Sequence, residues 1–227
     1  MLSEIIDFLF PRISLISDKR IESCNSGQYL NDEDLISIPK VTYEDLKELN
    51  DKLSADISFS HFCFSEGDEF SKIIYHLKYG GMKNLGIYLG EIIGHELQII
   101  FESNNIKDFD YIIPVPLFKT KLRERGFNQS EYICRGIVQY LNSEVVQNMV
   151  VRVRHTSTQT KLSREDRISN MKNAFIINED YKEIISGKRI IVVDDVVTTG
   201  STLNEVIKVL KENNCGYVLA CTLAMAR

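Results

Sequence analysis

Ile190-Ile191-Val192-Val193-Asp194-Asp195-Val196-Val197-Thr198-Thr199-Gly200-Ser201-Thr202 is the stretch on which the fold turns. Its first four residues are apolar and β-branched, the mark of a strand buried on both faces. Asp194 and Asp195 follow where that strand would end. Open α/β sheets bind ligands at the carboxyl ends of their strands. Thr198 to Thr202 then make a turn rich in hydroxyls, and Leu203, Val206, Ile207 and Leu210 recur at helical spacing. A helix N-terminus presents free N–H groups and a partial positive charge, and together these attract phosphate. Gly200 lets the backbone approach closely or take positive φ. Two carboxylates beside a phosphate cradle would repel an anion unless they hold sugar hydroxyls, a metal, or both. A plain helix cap accounts for one or two of these residues, not for the whole string. No Gly-Lys-Ser/Thr follows and no G-x-G-x-x-G is present, which excludes a triphosphate P-loop and a dinucleotide site of the Rossmann type.

Strand and helix patterns alternate around this stretch. Strands are expected at Ser58–Phe64, Tyr111–Val115, Val145–Val151 and Val218–Leu223. Helices are expected over Asp68–Tyr79, along Leu85–Ile100, around Ile133–Leu141 and over Ser163–Lys172, with Gly80-Gly81 ending the first. Such alternation implies an α/β fold: a mostly parallel twisted sheet flanked by helices. Residues 1–57 read differently. Leu2–Phe10 suggests a short helix stopped by Pro11, Ser17–Pro39 reads as turns and loop, and Thr42–Leu53 as a helix capped by Thr42. The expected organisation is therefore an N-terminal appendage, 1–57, and a main domain, 58–227.

Composition sets limits. With 44% apolar and 26% charged residues the chain can bury a sizeable core, and its net charge of −5 gives no global footprint for nucleic acid. Cys24, Cys63, Cys134, Cys215 and Cys221 are odd in number and contain no C-x-x-C pair, which fits free thiols in a reducing compartment. The start lacks the basic stretch and apolar core of a signal peptide, and no apolar run is long enough to span a bilayer. The expected location is cytoplasmic.

Other segments carry charge and rigidity. Pro114 and Pro116 stiffen a strand exit, and Lys119, Lys121, Arg123 and Arg125 follow, enough charge to neutralise a pyrophosphate or simply a solvated basic loop. Asn128 and Gln129 open a helix, as caps or as ligand contacts. Lys78 reads as a solvated charge at a helix end. Arg154–Leu162, polar and placed between a strand and a helix, is either a closing flap or an ordinary surface loop.

The string at 190–202 closely resembles the phosphoribosyl pyrophosphate (PRPP) motif of type I phosphoribosyltransferases: apolar strand, two acidic residues, then T-T-G-x-T. Three further segments narrow the resemblance. They are Asp110–Leu117 with Arg123-Glu124-Arg125-Gly126-Phe127-Asn128-Gln129; Arg152–Thr156 with Gln159, Leu162, Arg167, Asn170 and Phe175; and His76-Leu77-Lys78-Tyr79-Gly80. Together they resemble the ComF family, including its ComFC-like and GntX-like members, some of them competence proteins for uptake of transforming DNA. The resemblance runs from about Phe70 to the C-terminus. It implies that Asp194 and Asp195 are the catalytic-site carboxylates, holding the ribose 2′- and 3′-hydroxyls, with the same two as the candidates for Mg²⁺ when PRPP is bound. It implies that Thr198, Thr199, Gly200, Ser201 and Thr202 wrap the 5′-phosphate. Arg123, Arg125, Arg154 and Lys161 are then the pyrophosphate-binding candidates. Many relatives carry a four-cysteine zinc module at the N-terminus; here Cys24 and Cys63 alone fall in that region, so no zinc is expected. The implied activity is transfer of phosphoribosyl from PRPP to an unnamed acceptor. The alternative is a non-enzymatic competence protein that handles single-stranded DNA, with PRPP as regulator. The basic clusters at Lys119–Arg125 and Arg152–Arg167 would then track the phosphates, with Phe118 and Phe127 as sparse stacking partners. Expected partners are thus PRPP, with single-stranded DNA or competence proteins as the other candidates.

Overall fold

A computed structural model describes residues 11–21, 29–65, 67–153 and 174–227. Five parallel strands form the central sheet: β1 (Ile57–Phe64), β2 (Tyr111–Pro114), β3 (Glu144–Val145), β6 (Arg189–Val197) and β7 (Tyr217–Ala226), in the order β1-β7-β6-β2-β3. A separate antiparallel pair, β4 (Val150–Arg152) and β5 (Phe175–Ile177), lies outside it. The single strand expected over Val145–Val151 is therefore two strands in two sheets. Only Val145 joins the central sheet, beside Ile112, while Val150 turns away to face Ile177.

Alternation along β6 builds two apolar layers. Ile191 and Val193 face one layer, together with Leu219 and Cys221 of β7. Ile190 and Val192 face the other, with Val218 and Ala220. The first layer is covered by α3 (Phe70–Tyr79), α4 (Lys83–Ser103) and α6 (Gln129–Ile137). The second is covered by α7 (Ser201–Glu212) and the β4–β5 pair. Burial on both faces explains why β6 reads as an unbroken apolar run.

Helices α4 and α6 approach so closely that only glycine fits between them. A Cβ on Gly90 would lie 2.2 Å from the Ile133 carbonyl oxygen, and one on Gly136 would lie 2.1 Å from that of Ile87. This contact seats α6 on the sheet and points its N-terminal residues, Gln129 and Ser130, at the end of β6.

The N-terminal segment differs from its expectation. Asp32–Ser37 is a helix, α1, capped by Asn31, where turns and loop are expected from the sequence. The second helix, α2 (Tyr43–Lys52), has the expected Thr42 cap, closed by a reciprocal bond from Asp45. The segment is bonded along the edge of the sheet. Val41 N–H donates to the His61 carbonyl, Cys63 N–H to the Pro39 carbonyl, and Val218 N–H to the Asp56 carboxylate. Leu49 and Leu53 are buried in the layer that α7 covers. The basic run after β2 is also helical: α5 (Lys119–Arg125), closed by Gly126 in the left-handed region at φ 77°. Leu2–Phe10, Cys24, Ser163–Lys172 and the stretch Arg154–Leu162 lie outside the described residues. No helix among the described residues is long and apolar enough to cross a membrane.

Candidate functional site

The site lies where the sheet changes direction. From β2 the chain moves to β3 at one edge, and from β6 it moves to β7 toward the other. Ends of adjacent strands whose connections diverge leave a crevice, the usual ligand position in open α/β sheets. Here the crevice lies between Pro114 and Val193, paired neighbours on β2 and β6.

Two carboxylates stand at its floor. Asp195 is 4% exposed. One of its oxygens accepts from Val196 N–H at 2.7 Å. The other accepts from Gln129 Nε2 at 3.0 Å and pairs with Lys78 Nζ at 3.1 Å. Asp194 accepts from Ser130 Oγ at 3.2 Å and from Asp195 N–H at 2.9 Å. The two carboxylates are thus held differently. Lys78 neutralises Asp195, whereas desolvation, followed by the charge of Asp195, raises the Asp194 carboxyl to about 7. Desolvation and a like charge acting together on one carboxyl are perturbations that cluster at functional sites.

A cationic rim faces the pair. Arg125 Nη1 donates to Gln129 Oε1 at 2.9 Å, so Arg125, Gln129 and Asp195 form one chain of contacts. Burial lowers the Lys121 pKa, and the nearby charges of Arg125, Arg152 and Lys78 lower it further. Arg152 is likewise lowered by desolvation and partly restored by Asp194, and its guanidinium lies over the Phe175 ring at 5.3 Å. Four cations crowded against one another form a strong attractor for a multiply charged anion.

Past the carboxylates, the chain forms a small polar notch of about 40 Å³, lined by Asp194 and residues 196–203. Gly200 sits at the N-cap of α7 with φ 74°, the left-handed region, which is the second of the two uses its position in the string allowed. Thr199 Oγ1 and Ser201 Oγ share a bond at 3.0 Å. The amides of Thr199, Gly200, Thr202 and Leu203 meet no backbone acceptor among the described residues. Free amides on a helix start, ringed by hydroxyls, suit a phosphate-sized anion. Two larger clefts lie elsewhere. One, of about 420 Å³, opens between β5 and α7; the other, of about 550 Å³, opens beside His61, Glu96 and Ile99. Neither contains the paired carboxylates or the hydroxyl-rich turn.

The structure therefore brings Asp194, Asp195 and Thr198–Thr202 together with Arg125. Arg123 is on the exposed side of α5, and Arg154 and Lys161 lie outside the described residues. Lys78 is not the solvated helix-end charge suggested by its position: it forms an ion pair with the buried Asp195. Asn128 caps α6 by accepting from Ser130 N–H, and its amide also donates to the Val115 carbonyl, tying α6 to the exit of β2. Gln129, noted in the sequence as a cap or ligand contact, and Arg152, noted as part of a basic cluster, complete the site together with Ser130, which no sequence pattern marked. Gln129 and Arg152 also belong to the segments that carried the family resemblance; Ser130 does not. His61 is engaged away from this site, by Glu96 of α4.

Residues 132–227 match the family model of the phosphoribosyl transferase domain. The chain is 41% identical over 124 residues to competence protein F of Haemophilus influenzae, covering 55% of this chain and 54% of that protein. It is 32% identical over 148 residues to the DNA utilization protein YhgH of Escherichia coli, covering 65% of this chain and 63% of that protein. It is 29% identical over 111 residues to competence protein ComFC of Streptococcus pneumoniae, covering 49% of this chain and 46% of that protein. The chain thus spans about half to just under two thirds of these curated relatives. Among solved structures, a hypoxanthine phosphoribosyl transferase of Trypanosoma cruzi is similar at TM-score 0.41 and 13% identity, covering 64% of this chain and 67% of that one. With its parallel sheet, its strand–turn–helix motif and these relatives, the chain carries a phosphoribosyl transferase domain match over residues 132–227 and is similar to competence proteins F and ComFC and to the DNA utilization protein YhgH.

Proposed function

We propose that this protein binds PRPP with Mg²⁺ at the ends of β2 and β6 and transfers its phosphoribosyl group to an acceptor nucleophile. One observation carries the reading: a carboxylate pair, a cationic rim and a polar anion notch converge on one strand–turn–helix. Each part suits one part of PRPP. The notch at Thr198–Thr202 takes the 5′-phosphate through amides and hydroxyls. Asp194 and Asp195 accept from the ribose 2′- and 3′-hydroxyls. Lys121, Arg125 and Arg152 face the pyrophosphate, with Arg154 and Lys161 as further candidates from the sequence.

The residues also fit the metal. A desolvated carboxyl raised by its neighbour regains its charge when a divalent cation or a hydroxyl pair arrives. Bound Mg²⁺ would supply charge neutralisation for the departing pyrophosphate. In the reaction the C1′–O bond breaks and its electron pair leaves with pyrophosphate. The acceptor's lone pair forms the new bond to C1′, and the acceptor's proton passes to solvent. Lys78 and Gln129 hold Asp195 in place, so the chain's contribution is positioning and electrostatics. The test is calorimetry with PRPP, with and without Mg²⁺, followed by isotope exchange of pyrophosphate against candidate acceptors. Mg²⁺-dependent binding at one site per chain supports the reading; absence of any PRPP binding sinks it.

A second reading, single-stranded DNA binding, is favoured by one specific observation. Tyr75 and Tyr79 of α3 are 60% and 63% exposed, their rings 5.4 Å apart, and the Arg125 guanidinium lies 5.2 Å from the Tyr79 ring. Exposed aromatics beside a basic surface are the pattern of single-strand platforms. The names of the H. influenzae and E. coli relatives, a competence protein and a DNA utilization protein, point the same way.

A further inference from the structure

Lys52 belongs to the N-terminal segment, outside the stretch that matches the phosphoribosyl transferase model, yet its side chain reaches the turn that forms the anion notch, at the Thr198 carbonyl. Helix α2 ends at Lys52, and a reciprocal pair of bonds fastens that end to α7. The Lys52 carbonyl accepts from Asn204 Nδ2 at 3.0 Å, and Ser54 N–H donates to Asn204 Oδ1 at 2.8 Å. Asn204 N–H in turn donates to the Gly200 carbonyl at 2.9 Å. Leu53 closes the back of the turn: its Cδ2 would stand 2.6 Å from a Cβ on Gly200. Lys52 Nζ lies 3.5 Å from the Thr198 carbonyl, and its side chain is 22% exposed. Its ion-pair partner, Glu48, is a loosely held surface carboxylate at 3.4 Å.

We propose that Lys52 is an anion-binding residue of the notch, delivered from the N-terminal segment by the Asn204 latch. The proposal rests on the reading of Thr198–Thr202 as the 5′-phosphate site. The charges around that turn give the reason. Its own side chains are neutral, and Asp194 and Asp195 place negative charge at its inner end. The cations Lys78, Lys121, Arg125 and Arg152 gather on the carboxylates. A dianionic phosphate in the notch would thus meet neutral donors and nearby carboxylates unless a cation joined it. Lys52 stands beside that turn, its ammonium at the Thr198 carbonyl, with a weak partner to exchange. The N-terminal segment then has a part in binding, because α2 sets where the ammonium stands.

The test uses the full chain, with ribose 5-phosphate and PRPP as probes. Lys52→Met should weaken both about tenfold, and Lys52→Arg should restore most of the loss. Hydrogen exchange of the free protein separates charge from scaffolding. Asn204→Ala should speed exchange of the amides at 198–203, whereas Lys52→Met should leave them unchanged. Wild-type affinity in Lys52→Met overturns the assignment of Lys52 while leaving the PRPP site standing. Loop exchange in Lys52→Met as fast as in Asn204→Ala also overturns it, since the lysine would then only brace the turn. Failure of the wild type to bind either probe overturns the PRPP reading and this assignment with it.

Discussion

The strand–turn–helix at Arg189–Glu212 and the N-terminal segment at 29–56 meet at Gly200, yet they encode their structures in different ways. The first is specified by near neighbours. Four β-branched residues, two aspartates, a hydroxyl-rich turn and a helical repeat dictate one another within some twenty residues. The second is specified by partners far along the chain. Asn204 holds Lys52 and Ser54, Arg227 holds Asp45, and Val218 holds Asp56. Local pattern finds the first and is blind to the second. In the proposed function the first region supplies the chemistry, and the second the shape and charge of its rear wall.

The largest expected effect would break the comparison on its chemical side. Asp194→Asn with Asp195→Asn removes both carboxylates from the floor of the crevice. Charged hydrogen bonds contribute about 1.5–3 kcal/mol each. Loss of Mg²⁺-dependent PRPP binding by at least about 100-fold is expected in calorimetry, with the circular dichroism spectrum retained. Wild-type affinity in the double variant would remove these residues from the site.

Gly200→Val strikes both regions at once. Valine tolerates φ 74° poorly, and its Cβ would overlap Leu53. Backbone strain and overpacking together should cost about 2–4 kcal/mol in urea unfolding, and phosphate binding should fall with it. Leu53→Ala in the same chain should recover the packing part and leave the backbone part. If Leu53→Ala recovers nothing, the two regions do not share this contact.

That prediction also shows where the sequence was readable. The parallel sheet, the Thr42 cap, the positive φ of Gly200 and the Asp194–Thr202 turn were legible because each follows from adjacent residues. The split of Val145–Val151 was not, because both halves have the same β-branched character and the choice of partner lies at Ile112 and Ile177. Nor was α5, whose seven residues bury no side chain and so carry no apolar stripe. Lys78 looked solvated because its partner, Asp195, is more than a hundred residues away.

A smaller effect would sharpen the account of the carboxylate pair. Folding raises the Asp194 carboxyl above its unfolded value, to about 7, so the folded protein binds the proton more tightly than the unfolded chain. The stabilisation from that proton is fully present below the unfolded value near pH 4 and is lost as pH rises toward 7. The melting temperature of the ligand-free protein should therefore fall by a few degrees across that window through this group. Asp194→Asn should flatten that part of the profile and melt higher than wild type at pH 8. A variant that melts lower than wild type at pH 8 would show that Asp194 is not destabilised by its surroundings.

The smallest expected effect separates transfer chemistry from DNA handling. Tyr79 and Arg123 would serve a single strand in different ways. An exposed ring offers stacking, worth about 1–3 kcal/mol per base and insensitive to salt. An exposed guanidinium offers one phosphate contact, and each such contact contributes about 0.7 to the slope of log affinity against log salt. Tyr79→Ala should therefore weaken single-stranded DNA binding about tenfold at every salt concentration and leave the slope alone. Arg123→Gln should lower the slope by less than one unit. Neither residue lies on the anion notch, so Gly200→Val should leave DNA affinity near that of wild type. Loss of DNA binding in Gly200→Val would place both ligands in one cradle. A wild type with no measurable DNA affinity at physiological salt would leave Tyr75, Tyr79 and Arg123 without this role and leave PRPP chemistry as the function of the fold.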